Sequence, residues 1–291
     1  MVEPTQVQIL RDLVYHQPEL KVNPYHTLDL YLPPATSTPP PVLVFVHGGF
    51  WNTGDKAEHH QLTASLCHQA KVAVASVNYR QTAPNQTPML RFPCHLEDVA
   101  HAVGFVWAYG EQFGYNSQRM YLSGHSVGAS MVALLGLCPK RYLAPVFQDH
   151  YPDADWSHLY QCLQGVIGID GIYDFPLLIS TFPHYRSRMD LIFGNHPERW
   201  PDASPRLGEV LPDVLTDKHL GRLEWCIVHS LEDELVDLPQ SQDFIQYLHN
   251  LQYRVVDACH LSGSHDGVLG TSALVETMTD FLHHSSSAKA P

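Results

Sequence analysis

Short, uniformly apolar runs alternate along the chain with longer stretches in which apolar residues return at every third or fourth position. Residues 42–46 form a β-branched run bounded by Pro41 and His47-Gly48, and residues 72–77 form a second; both read as strands buried on two faces. Helical spacing fills about 57–70 between them, and Leu96, Val99, Ala100, Val103, Val106 and Trp107 mark one face of another helix. Thr27–Leu32 alternates as a strand until Pro33-Pro34 stops it, and residues 35–41 are a loop. Residues 116–119 then turn the chain into a short strand at 120–122, followed by a helix from Ser126 through Leu135 that ends near Pro139. Further strands are expected at 166–169, 225–229 and 253–256, with helices at about 240–251 and 268–283, and residues 3–14 read as a short helix. Strands alternating with helices predict an α/β fold, a mainly parallel sheet with right-handed crossovers and helices on both faces.

Two segments break the alternation. Residues 140–165 and 176–221, rich in Pro, aromatics, His and Asp, fall between strands and are expected to build a small cap over a site. With 291 residues, the reading is a single domain over 1–284, inserts included, and a disordered tail at 285–291.

Composition narrows the partners. A 44% apolar content is ample for a core, and a net charge of −13 spread along the chain argues against nucleic acid or an anionic membrane as partners. The first 13 residues lack a basic start and an apolar run, and no stretch reaches the ~18 apolar residues of a membrane span, so a soluble, cytoplasmic protein is expected. The sequon at Asn85-Gln86-Thr87 then carries no meaning. Six scattered cysteines form no Cys-x-x-Cys pair and read as reduced thiols. Among 20 histidines, the pairs His59-His60 and His283-His284 diverge on a helix and no metal-ligand ladder appears, so neither a metal nor another cofactor is expected. A homodimer is compatible with the sequence, which does not argue for it.

The candidate chemistry sits where strands end. Gly124-His125-Ser126-Val127-Gly128 between a strand and a helix reads as a nucleophile elbow, with glycines flanking a serine at the apex of a strained turn. In a parallel sheet reactive groups gather at the carboxyl ends of strands. After the strand at 225–229 comes an acidic loop in which Glu232, Asp233, Glu234 and Asp237 compete. The short carboxylate of Asp233, in the turn before Val236, is favoured, and the others read as solvated. After the last strand His260 and His265 compete for the base. His265, in a glycine-bearing loop before the final helix, is preferred over His260, which abuts the strand. Ser, Asp, His is the chain order of an α/β-hydrolase triad. His47-Gly48-Gly49-Phe50-Trp51 follows a central strand, so its backbone N–H groups could turn toward the site, with the Val127 N–H completing an oxyanion hole.

These residues resemble the kynurenine formamidase family of α/β-hydrolases. The resemblance rests on His47-Gly48-Gly49-Phe50-Trp51, on Asn78-Tyr79-Arg80 followed by Phe92-Pro93-x-His95-Leu96-Glu97-Asp98-Val99, and on the elbow. Gly171-Ile172-Tyr173-Asp174, Leu177-Leu178, Phe193-Gly194 and Trp200 through Ala203-Ser204-Pro205 extend it, the first and last of these being the more discriminating. The resemblance implies hydrolysis of the small molecule N-formyl-L-kynurenine to formate and L-kynurenine, in tryptophan catabolism. Carried over, Ser126 attacks the formyl carbon, His265 moves the proton, Asp233 orients it, and the N–H groups of Gly49, Phe50 and Val127 hold the oxyanion. Trp51 and Tyr173 are candidate walls for the aromatic part of the substrate, with core packing as the alternative. Phe50 stands where related esterases often have a third glycine. A carboxylesterase on small esters would use the same residues, and a non-catalytic ligand-binding protein of this fold would be expected to lack one of them.

Overall fold

The computed structural model describes residues 6–17, 21–207 and 223–287. Its eight strands are β1 (Gln8–Val14), β2 (Thr27–Leu32), β3 (Pro41–Val46), β4 (Ala73–Val77), β5 (Asn116–His125), β6 (Leu163–Ile169), β7 (Glu224–Ser230) and β8 (Arg254–Leu261). They lie in the order β1-β2-β4-β3-β5-β6-β7-β8. The β1–β2 and β2–β4 pairs are antiparallel and every later pair is parallel, which is the sheet of an α/β-hydrolase.

Side chains of β3 divide by parity, as the pleat requires. Val42, Val44 and Val46 enter one core, Leu43 and Phe45 the other. The first core is closed by α2 (Cys94–Ala108), α3 (Val127–Leu137) and α7 (Leu238–Asn250), the second by α1 (His60–Ala70) and α8 (Ser272–Ser287). Every residue of α3 is buried, so this helix needs no polar face. The elbow is therefore mounted on the best-packed helix of the fold.

Three expectations change. Residues 8–14 are not helical but the edge strand β1, because the register slips between Leu10 and Leu13. The extra residue of this bulge, with Asp12 at φ +54°, spaces Ile9-Leu10 and Leu13-Val14 as a helix would. β5 begins at Asn116 rather than 120, since the segment expected to turn already pairs with Pro41. The last helix runs to Ser287, so residues 285–287 are ordered chain; 288–291 lie outside the described residues.

The inserts take different positions. The first forms α4 (Ala144–His150), a second seven-residue helix at Trp156–Cys162 and a single turn at Pro139–Tyr142, and Phe147 packs its ring 5.2 Å from Trp107 on α2. The second forms α5 (Phe175–Thr181) and α6 (Arg186–Phe193) with further short turns, and it reaches the carboxyl ends of the strands. Residues 208–221 of its expected span lie outside the described residues. No helix among the described residues is long and apolar enough to cross a membrane.

Candidate active site

The turn between β5 and α3 holds Ser126 at φ +55° and ψ −123°, a conformation an L-residue adopts only when its surroundings impose it. The flanking glycines show why. A Cβ on Gly124 would stand 2.3 Å from the Gly128 backbone, and one on Gly128 would stand 2.3 Å from the Val46 carbonyl oxygen. Strand, helix and the neighbouring strand β3 meet there with no room for a methyl group, and the serine is pushed up above the sheet.

Asp233 and His265 meet across the ends of β7 and β8. His265 Nδ1 lies 2.7 Å from Asp233 Oδ2, and the Asp233 side chain has no solvent exposure. The other carboxylate oxygen accepts the N–H groups of Leu235 at 2.8 Å and Val236 at 2.9 Å, an Asx-type turn that fixes the plane of the group. Burial pulls the His265 pKa down, but the Asp233 hydrogen bond and charge outweigh it and the net shift is upward. His125, the variable residue of the elbow, places its Nε2 at 2.9 Å from the His265 carbonyl oxygen, and burial keeps its own ring neutral. The elbow thus braces the His265 backbone as well as presenting Ser126.

The other acids of this loop are not simply solvated. Glu232 accepts the Gly263 N–H at 3.2 Å and Glu234 the His265 N–H at 3.1 Å, so both stitch the acidic loop to the histidine loop. Asp237 accepts from Thr181 of α5. His260, the rival base, lies within β8 with its residue exposed, because the strand runs on to Leu261. Asp170, at the end of β6, was not anticipated from sequence. It accepts the Ser230 N–H at 2.7 Å, and burial and the nearby Asp233 charge push its carboxyl up to about 7, against the pull of that hydrogen bond.

The loop after β3 is shaped by its carbonyls. Gly48 O accepts from Tyr79 Oη at 2.7 Å and from His47 Nδ1 at 2.9 Å, while Tyr79 Oη also reaches His47 O at 3.1 Å. In a trans peptide the N–H points opposite to the C=O, so this double tether aims the Gly49 N–H the other way. Gly49, Phe50 and Trp51 all have positive φ, at +92°, +51° and +60°, which curls the loop over the elbow. Gly49 has no alternative, since its Cβ would sit 2.2 Å from the Thr53 carbonyl oxygen. Val127 is the first residue of α3, so its N–H has no acceptor within the helix. His47 stacks on Tyr79 at 4.4 Å, and burial lowers its pKa to about 4 despite the carbonyl contact. Tyr79 entered the sequence reading only as part of a motif; no local pattern revealed its hold on Gly48.

Ser126 and His265 line one cavity of about 190 Å³. Its walls include Phe50, Ile172, Tyr185, Arg188 and Leu235, so the second insert contributes a wall and the first does not. Phe50 and Tyr185 stack with centroids 5.3 Å apart, and the Arg188 guanidinium stands 5.8 Å and 5.9 Å from the two rings. Trp51 and Tyr173, the expected aromatic walls, are instead core residues. Trp51 is packed among Phe92, Phe175 and Phe193, and Tyr173 stacks on Phe244 at 4.0 Å. Trp51 meets the Phe50 ring edge-on at 5.7 Å from the core side and does not line the cavity, and Tyr173 fills the space left by the missing side chains of Gly168 and Gly171. A larger cavity of about 460 Å³ lies on the other side of the same loop, against His47, His59 and His125, but Ser126 does not line it.

Comparison with known proteins places this arrangement. The chain is 28% identical to kynurenine formamidase avaC of Aspergillus versicolor, over 84% of this chain and 90% of that protein. It is 27% identical to esterase LipC of Mycobacterium tuberculosis, over 84% of this chain but only 57% of that protein. A truncated carbohydrate esterase from gut microbiota superposes with a TM-score of 0.76 at 18% identity, covering 98% of this chain and 99% of that one, which establishes the fold. The BD-FAE family profile matches residues 28–248. The chain belongs to the BD-FAE family of α/β-hydrolases, and its curated relatives include kynurenine formamidases and esterases.

Proposed function

We propose that this protein is a serine hydrolase that cleaves the formamide of N-formyl-L-kynurenine, releasing formate and L-kynurenine. The observation that carries the reading is the buried Asp233–His265 bond of 2.7 Å beside a positive-φ Ser126 in one shared cavity. Ser126 Oγ attacks the formyl carbon while His265 Nε2 takes its proton. The oxyanion is held by the N–H groups of Gly49, Phe50 and Val127. Collapse breaks the C–N bond, His265 returns the proton to the aniline nitrogen, and L-kynurenine leaves a formyl ester on Ser126. Water, deprotonated by His265, then releases formate.

The cavity wall supports this substrate class. A stacked Phe50–Tyr185 pair suits an aryl ring, and Arg188 beside it suits the carboxylate of an amino acid. The similarity to kynurenine formamidase avaC supports the same choice. A small-ester carboxylesterase uses identical chemistry and is favoured by the esterase relatives. The two separate in one assay: formate release from N-formyl-L-kynurenine beside hydrolysis of short nitrophenyl esters, with Ser126→Ala as control. Formamide turnover lost by several orders of magnitude in Ser126→Ala is the expected result. Ester turnover without formamide turnover would overturn the substrate, and a fully active Ser126→Ala would overturn the mechanism.

A further inference from the structure

Three histidines far apart in sequence converge away from the Ser126 cavity. His16 follows β1, His101 lies on α2 and His150 ends α4 of the first insert. His16 Nδ1 and His150 Nε2 are 2.9 Å apart, the His16 and His101 rings stack at 4.0 Å, and the His101 and His150 rings stand 4.3 Å apart. One ligand nitrogen from each lies within 4.8 Å of the others. His101 Nδ1 is moreover buried with no hydrogen-bond partner among the described residues. A buried imidazole nitrogen without a partner is costly unless something else occupies its lone pair or its proton.

We propose that His16, His101 and His150 bind a late first-row divalent metal ion, of the zinc class, which ties the start of the chain to the first insert. An all-imidazole set selects such ions and rejects magnesium and calcium, which demand oxygen ligands. The spacing fits. A tetrahedral ion with bonds of about 2.0–2.1 Å separates its nitrogens by about 3.3 Å, between the 2.9 Å of the nearest pair and the 4.8 Å limit of the set. His150 is exposed at a helix end, and ion binding would exchange its 2.9 Å contact with His16 and the 4.0 Å His16–His101 stack for lone pairs turned to one point. Behind them His26 packs its ring 4.8 Å from His16 and sets its own Nε2 3.3 Å from Asp98, a buried carboxylate one ring removed from the ion. His150 is exposed and none of the three histidines lines the Ser126 cavity, so the site is structural or regulatory in placement.

The test uses the full chain, purified through a tag without histidine and stripped with chelator. Calorimetry with zinc chloride should give one ion per chain, with no heat from magnesium chloride, and zinc should raise Tm. His150→Ala should weaken zinc binding at least tenfold and remove the Tm increase, while ester hydrolysis by the metal-free protein stays at the wild-type rate. His16→Ala should weaken zinc binding in the same way. Absence of zinc binding in the wild type would overturn the proposal, as would unchanged affinity in both variants. Affinity lost only in His265→Ala would also overturn it, since the ion would then sit on His125, His265 and Asp266, one of two other convergent sets among the described residues, the second being Asp170, His229 and Asp233.

Discussion

Replacing Asp233 by asparagine isolates what the carboxylate does for His265, because the structure dictates which way the amide must face. Asp233 Oδ1 accepts two backbone N–H groups at 2.8 Å and 2.9 Å, so the asparagine carbonyl has to remain there; turning the NH2 toward them would set donor against donor. The amide nitrogen then faces His265 Nδ1 and donates to it. His265 is forced into the tautomer that carries its proton on Nε2, the nitrogen required to accept from Ser126. The expected loss is about 10⁴ in kcat, the scale seen when a triad acid is made an amide, or about 5.4 kcal/mol of barrier at 1.36 kcal/mol per decade. KM should barely move, since Asp233 does not line the cavity. Volume and turn hydrogen bonds are kept, so Tm should stay within a few degrees. Asp233→Ala, by contrast, strands two N–H groups at about 1–3 kcal/mol each and should lower Tm as well. Steady-state kinetics on an ester and on the formamide, beside thermal melts of both variants, makes the comparison. An Asp233→Asn enzyme that kept more than a tenth of the wild-type kcat would refute the reasoning.

The wild-type kcat/KM should climb with pH through the His265 pKa, which lies above 6.5, and the limb should move to lower pH in Asp233→Asn as the compensating charge disappears while burial remains. Tyr79→Phe should lower kcat about 5- to 50-fold with KM nearly unchanged, because one or two hydrogen bonds that aim the Gly49 N–H are lost, at about 1 kcal/mol or more each. Arg188→Gln should raise KM for N-formyl-L-kynurenine about tenfold while leaving a neutral aryl ester unaffected; equal effects on both would remove its role in carboxylate recognition. Buried Asp98 carries the Arg80 guanidinium at 2.6 Å, and although burial raises its pKa, the His26 ring nitrogen 3.3 Å away and the hydrogen bonds from Arg80 bring the net value below 3.8. That stabilisation is present above pH 3.8 and is lost as pH falls through the folded value, so Tm of Asp98→Asn should respond less to acid than Tm of the wild type.

Much of this was readable in one dimension because the signals were local. The Gly-x-Ser-x-Gly spacing encodes a backbone collision between Gly124, Gly128 and Val46, and uniformly apolar strands announce a sheet covered on both sides. Asp233 was favoured among four acids because a short carboxylate in the turn before Val236 can reach a neighbouring loop, and it does meet His265 at 2.7 Å. What escaped was set by tertiary proximity. The bulge at Asp12 disguised a strand as a helix, and Tyr79 reaches a carbonyl 31 positions earlier. Arg188 enters the cavity only through the path of the second insert. For Trp51 and Tyr173 the sequence left wall and core both open for a related reason: a motif states which residues adjoin the site in sequence, while packing against Phe175 and Phe244 decides the matter in three dimensions.

The curled loop at Gly49, Phe50 and Trp51 has a consequence for how this scaffold could be re-aimed. If its anion-holding donors are main-chain groups, then the side chain at position 50 forms a wall of the cavity without supplying any donor. Substitutions at 50, 185 and 188 would then alter what fits while leaving the reacting groups in place, so that selectivity could be searched combinatorially at three sites. The left-handed backbone at position 50 limits the alphabet: Gly and Asn should enter readily, Val, Ile and Thr should be rejected, and a library screened for soluble protein should show that bias before any activity is measured.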